Sequence, residues 1–263
     1  MMQAQIDYYG MDTDVVAFST TRWGGYSRGS YAGFNINRYC GDDEDDIRRN
    51  RELLCRQLGI SDDRLLMPHQ VHQTRTALVD EDLLSHSEEE RQQLLDGYDA
   101  LMTNLTGVCI GVSTADCIPV LLYDGEHHAV CAVHAGWRGT VARIVEKSIA
   151  AMNVAYGTRP SQLKAQIGSG ISLQSFEVGD EVYEAFTAAG FDMCTISRRE
   201  AKWHIDLPEC NRQQLMATGV PVEAIQLSGI CTYQQSDRYF SARQLGIRSG
   251  RIFTGIFINS NHL

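Results

Sequence analysis

Three residues with metal-binding or nucleophilic side chains stand where apolar runs give way to loops. They are His72 in Pro68-His69-Gln70-Val71-His72, Cys117 after Asp116, and His134 before Ala135-Gly136. A thiolate with two imidazoles suits zinc or copper, and three protein ligands leave a fourth position open, the catalytic rather than the structural pattern. Cys117 and His134 could equally be a nucleophile and its base, with Asp116 or another acceptor orienting the imidazole. Plain structure is a third reading: two hydrogen-bonded histidines and a buried cysteine. The residues lie far apart in sequence, so only the fold chooses among these.

The elements that must position them are legible as patterns. Apolar runs over 108–113 and 118–123 flank Thr114-Ala115-Asp116-Cys117, and a third over 129–134 leads into Ala135-Gly136-Trp137-Arg138-Gly139-Thr140; all three predict strands. One long helix then carries Val141, Ile144, Val145, Ile149, Met152 and Tyr156 on roughly one face and closes at Gly157. Upstream, 15–20 reads as a strand followed by Gly24-Gly25, where the backbone bends sharply or approaches something closely. Acidic residues 42–46 open a helix to about Leu58, ended by Gly59. The charged segment 81–93 reads as a surface helix or loop, and Asp124-Gly125-Glu126 before His127-His128 as a hairpin turn. Downstream come a strand over 165–168, a helix carrying Val182, Tyr183 and Phe186, a helix starting near Asp206-Leu207-Pro208, and strands over 225–230 and 253–258. Strands and helices alternate irregularly without a fixed repeat, which predicts an α+β fold of mixed sheets packed with helices.

Composition narrows the setting. The chain has 263 residues, 43% hydrophobic and 21% charged, with 5 prolines and no linker-like stretch; one domain over 1–263 is expected. A net charge of −10 disfavours nucleic acid as the main partner and leaves room for a local basic pocket that takes a small phosphate. Nothing after Met1-Met2 resembles a secretory signal, and no run reaches the ~18–20 apolar residues of a membrane span. The 8 cysteines include no CxxC pair, and several sit inside apolar patterns, so the chain reads as reduced and cytoplasmic.

Gln70-Val71-His72, Ala115-Asp116-Cys117-Ile118-Pro119 and His134-Ala135-Gly136-Trp137-Arg138-Gly139 resemble the three signature motifs of the YfiH-type purine nucleoside phosphorylase family, also called the laccase-domain or polyphenol oxidase family. Arg22-Trp23-Gly24-Gly25-Tyr26-Ser27, Phe34-Asn35-Ile36-Asn37, Phe176-Glu177-Val178-Gly179, Cys231-Thr232 and Phe240-Ser241 follow in the family's order. The resemblance covers nearly the whole chain. Two positions depart from it: Ser169 stands where Gly-Pro is common, and Ala242 where Ser-Tyr-Arg-Arg is common.

The resemblance implies that His72, Cys117 and His134 ligate one zinc, or copper. It implies a sandwich like the catalytic domain of cytotoxic necrotising factor, a cysteine-histidine deamidase. The implied activities are phosphorolysis of adenosine, inosine and methylthioadenosine, and deamination of adenosine; copper-dependent phenol oxidation and a cysteine-histidine hydrolase are the alternatives. Nucleosides and phosphate are then the partners, with oligomeric state open. For deamination, Asp116 is the expected proton shuttle. For phosphorolysis, Arg138 is the first expectation for holding phosphate, with Arg22 and Arg243 behind it. His69 rivals His72 for the ligand position; Trp137 and His204 read as structural.

Overall fold

Apolar runs without polar alternation need cover on both faces, and the middle of the chain is built this way. The computed structural model describes residues 3–259. Its strands are β1 (Ile6–Tyr9), β2 (Val15–Thr20), β3 (Leu65–Leu66), β4 (Thr76–Leu78), β5 (Ala100–Thr103), β6 (Cys109–Thr114), β7 (Ile118–Asp124), β8 (Ala129–Ala135), β9 (Leu163–Ile167), β10 (Glu177–Val178), β11 (Ser197–Arg199), β12 (Trp203–Ile205), β13 (Ile225–Leu227) and β14 (Ile252–Ile258). One sheet runs β1-β2-β14-β6-β3, a second β13-β9-β7-β8-β5-β4, and β10-β12-β11 form a small third. The two large sheets are antiparallel except where β3 joins β6, β4 joins β5 and β13 joins β9. Mixed sheets packed with helices are what the irregular alternation predicts.

Strand period decides which layer each residue fills. On β7, Leu121 and Tyr123 face the first sheet and join Ile110, Val112 and Ile256 in one cluster. Val120 and Leu122 point the other way, toward Ile149 and Met152 of the helix Ile144–Tyr156 and Leu215 of the helix Leu207–Thr218. The outer face of the first sheet carries Phe18, Phe253 and Phe257 under Leu53 and Leu54 of the helix Glu44–Leu58. The layers run helix, sheet, sheet, helix.

The helix Glu44–Leu58 starts and stops as predicted: Asp43 accepts the N–H groups of Asp45 and Asp46, and Gly59 ends it at φ +69°. Three expectations change. The helix predicted from Val141 onward is two, Trp137–Val141 and Ile144–Tyr156. Between them Arg143 adopts φ +62°, anchored by its guanidinium on the Ala189 carbonyl at 2.7 Å and over the Phe191 ring. The strand expected over 225–230 ends at Leu227, because Gly229 at φ +67° turns the chain away from β9. Segment 81–93 holds two short helices, Glu81–Ser85 and Glu88–Leu94, the second started by a Ser87/Glu90 capping box. No helix among the described residues is long and apolar enough to cross a membrane.

The register gathers the chemistry. Thr114 pairs with Ile252 and Ile118 with Ala135. The end of β6, the start of β7, the end of β8 and the start of β14 therefore share one rim of the sandwich.

Candidate metal centre

On that rim the loop bearing His72 is clamped twice. The Gln70 amide donates to the Ser113 carbonyl and accepts its N–H, both at 2.8 Å, so the loop is tied to the end of β6. Fully buried Asp99, just before β5, accepts the N–H groups of Val71 (3.3 Å), His72 (2.9 Å) and Gln73 (2.7 Å). The His134 Nδ1–H donates to the same carboxylate at 2.8 Å. One aspartate thus fixes the backbone of one candidate ligand and the ring of another, leaving His134 Nε2 free to face Cys117. Second-sphere carboxylates of this kind set the tautomer and basicity of ligating histidines.

Cys117 Sγ lies 3.8 Å from His72 Nε2, and the ligand atoms of His72, Cys117 and His134 all lie within 4.8 Å of one another. Tetrahedral zinc with bonds of ~2.3 Å to sulfur and ~2.0 Å to nitrogen spaces such atoms ~3.5 Å apart, so the donor set fits one ion with little closure. Gly136 permits the approach: a Cβ there would stand 2.9 Å from the His72 ring and 3.1 Å from Cys117 Sγ. Among the described residues, two of the four non-glycine residues with positive φ sit here, His72 at +62° and Asp116 at +86°. Each such conformation costs ~1–3 kcal/mol and persists only where surroundings impose it. The Asp99 carboxylate imposes the first.

Burial alone would raise the Cys117 thiol, but the charge of His134 and hydrogen bonds from His134 and His72 overcome it and bring it down to about 6. Burial likewise opposes charge on His134, yet the Cys117 thiolate and Asp99 raise that imidazole to about 9. Cys109, buried with no such partners, is pushed well above the ordinary thiol. Cys117 is therefore a thiolate near neutral pH, the form that ligates metal or attacks a carbon.

The other expected residues stand around this cluster at different removes. Asp116 accepts the Thr232 hydroxyl and the Arg243 backbone N–H, each at 2.8 Å. It ties Cys117 to the helix Ala242–Leu245. Arg243 donates from Nη1 to the Glu177 carbonyl and lies over Phe176. Arg22 donates to the carbonyls of Ser236 and Ala32 and lies over Phe240. Arg138 is exposed, over its neighbour Trp137, which packs on the helical side of the core. The cleft of about 300 Å³ above the cluster is lined by none of Arg22, Arg138, Arg243 or Asp116. His69 lines it without joining the cluster: its Nδ1 meets Asp96 at 2.6 Å and its ring stacks on Tyr39 at 4.4 Å. His204 is buried against the Leu173 carbonyl, and His127 pairs with Asp124 in the β7–β8 turn. Asp99 and Arg251, which also lines the cleft, were not among the sequence candidates.

A His/Cys/His cluster with a buried carboxylate behind it, on the rim of an α+β sandwich, is a donor set that could hold one metal ion. The family described as multi-copper polyphenol oxidoreductase laccase matches residues 16–259, and the chain belongs to it. It is 49% identical over 250 residues to a Bacteroides thetaiotaomicron protein named purine nucleoside phosphorylase, covering 94% of this chain and 93% of that one. It is 43% identical over 256 residues to adenosine deaminase RL5 from an unknown prokaryotic organism, covering 96% of this chain and 97% of the other. The crystal structure of YlmD from Geobacillus stearothermophilus superposes with a TM-score of 0.88 at 29% identity, over 96% of this chain and 94% of that one.

Proposed function

We propose that the protein is a zinc-dependent purine nucleoside phosphorylase, acting on adenosine, inosine and methylthioadenosine, with adenosine deaminase activity at the same site. The observation that carries this is the convergence of His72, Cys117 and His134 on one point in a chain whose relatives bear both names. In this reading free nucleosides and phosphate are the partners and the cytoplasm is the setting.

In phosphorolysis a phosphate oxygen bonds to C1′ of the ribose as the C1′–N bond breaks, and the base leaves with a proton. In deamination water adds to C6 of adenine and ammonia leaves. Zinc bound here supplies a Lewis acid that lowers the pKa of a coordinated water to ~7. The chain's part is positional: Asp99 holds two of the candidate ligands in register, and Gly136 keeps the floor open. Asp116 is carried as the proton shuttle for deamination, and Arg138, outside the cleft, as a charge that attracts phosphate toward it. Asp116→Asn and Arg138→Met test those roles by their effect on each reaction separately.

Among the described residues this is the one group of three or more His, Cys, Asp or Glu side chains placed to hold a metal. One such group favours hydrolytic or phosphorolytic chemistry over the several coppers of four-electron phenol oxidation. The second reading, a cysteine hydrolase, is favoured by one observation: Asp99, His134 and Cys117 form an orienter–base–nucleophile series. Incubating zinc-loaded protein with adenosine and phosphate, and separating adenine, inosine and hypoxanthine, decides. Adenine or inosine made by the native protein and not by Cys117→Ala supports the proposal. No product from folded, zinc-bound protein rejects it, and activity that survives chelation but not thiol alkylation selects the hydrolase.

A further inference from the structure

The cleft above the metal cluster is electrostatically unlike the rest of the chain. The protein has 33 acidic and 23 basic residues, yet among the described residues no Asp or Glu lines this cleft, whereas His69, His72, His134 and Arg251 do. Two of these histidines have a carboxylate behind them, Asp96 on His69 and Asp99 on His134. Arg251 has none among the described residues. Its Nη1 donates to the carbonyls of Ser249 (2.6 Å) and Gly250 (3.0 Å), and its Nη2 to that of Ile247 (3.0 Å). Those bonds fix the guanidinium plane without neutralising its charge. No acceptor for Nε is found among the described residues, so the guanidinium keeps donor capacity for an oxyanion.

Thr114 adds a hydroxyl. Its Oγ1 is buried without a partner, and Thr114 lines the same cleft. It is brought beside Arg251 by the pairing of Thr114 with Ile252. A buried hydroxyl left unpaired carries a desolvation cost that a ligand oxygen would remove. Arg22 and Arg243 have their guanidinium groups turned to backbone carbonyls elsewhere, and Arg138 lies outside the cleft.

We propose that Arg251, with Thr114 beside it, is the seat of the phosphate nucleophile. The inference rests on the phosphorylase reading and names the side chains that serve it. The guanidinium orients the dianion for its new bond to C1′ and offsets the like-signed field of an acidic protein. Arg251 also sets the ratio of the two reactions, because phosphorolysis at C1′ needs seated phosphate whereas deamination at C6 does not.

Inorganic phosphate is titrated by calorimetry into the zinc-loaded full chain and its Arg251→Met, Arg251→Lys and Thr114→Val forms, with circular dichroism and zinc content confirming the fold. Arg251→Met weakens phosphate binding about 10- to 100-fold, the loss of one charge-assisted contact. Arg251→Lys recovers part of it, and Thr114→Val costs roughly threefold. With inosine as substrate, KM for phosphate rises in step while KM for inosine moves much less. Loosening of the 247–251 loop does not produce that split. With adenosine, the adenine-to-inosine ratio falls at least about tenfold in Arg251→Met. Equal phosphate binding by native and Arg251→Met protein, or none by the native protein at millimolar phosphate, overturns the proposal. Phosphate binding that depends on Arg251 in a protein that turns over no nucleoside keeps the seat and removes the phosphorylase reading instead.

Discussion

Two cavities meet at Tyr39 and differ in how they treat charge. The smaller, of about 110 Å³, is lined by Arg38, Arg51 and Arg91 together with Asp62, Asp63 and Glu88. Two of its three arginines are paired, Arg51 with Asp62 at 3.1 Å and Arg38 with Glu88, and Arg91 donates to the Asp63 carbonyl within the same acid-bearing lining. The larger, over the metal cluster, has one arginine, three histidines and no acid among its described lining residues. Arginines are thus more numerous where acids share the lining and fewer where none does. Counting arginines would choose the wrong cavity; asking which lining holds cations without acids chooses the one beside Cys117. The matched cavity reads as a brace between the helix Glu44–Leu58 and the segment ending at Leu94.

The comparison sharpens first at Asp99, where the acid stands behind the cleft rather than in it. Asp99→Asn keeps one acceptor oxygen for the donors shared between the two carboxylate oxygens and loses the charge that supports His134. Zinc affinity is expected to fall about 10- to 100-fold, as measured by competition with a chromophoric chelator. Affinity within twofold of native would mean that the carboxylate only braces the loop.

A smaller effect concerns the thiols of metal-free protein. Cys117 is drawn down to about 6, whereas burial and Asp62 push Cys55 up to about 12. Since the thiolate is the reactive form, Cys117 alkylation should accelerate as pH rises through 6 and level off near neutrality, while Cys55 stays inert. Peptide mapping after timed iodoacetamide quenching reads both. A Cys117 midpoint at the ordinary ~8.5 would mean that the His134–Asp99 arrangement does not charge it. Least affected is the matched cavity: Arg38→Gln should change phosphate binding less than about twofold and stability by ~0–1 kcal/mol. A tenfold loss of phosphate there would collapse the contrast between the two cavities.

How much of this was visible beforehand follows from what carries each signal. His72, Cys117 and His134 stood out because polar ligand types at the ends of apolar runs are conspicuous, and the strands behind Cys117 and His134 were read from continuous apolarity alone. Asp99 gave no such sign: it is one acid among many, and its role depends on loop N–H groups from 26 to 28 residues earlier in the chain. Arg251 is likewise an ordinary basic residue before a strand until β14 pairs with β6. Arg143 broke a helix that local pattern would continue, because its left-handed backbone is held by Ala189 and Phe191, contacts no local window contains. Arg22 and Arg243 were picked for their chemistry, and the fold turned that chemistry toward carbonyls and aromatic rings.

X-ray absorption at the zinc edge of protein loaded with one equivalent of metal tests the central claim most directly. The account predicts one sulfur at ~2.3 Å and nitrogen or oxygen neighbours at ~2.0–2.1 Å, with the sulfur lost in Cys117→Ala. A first shell without sulfur, or a sulfur that persists in Cys117→Ala, would contradict it.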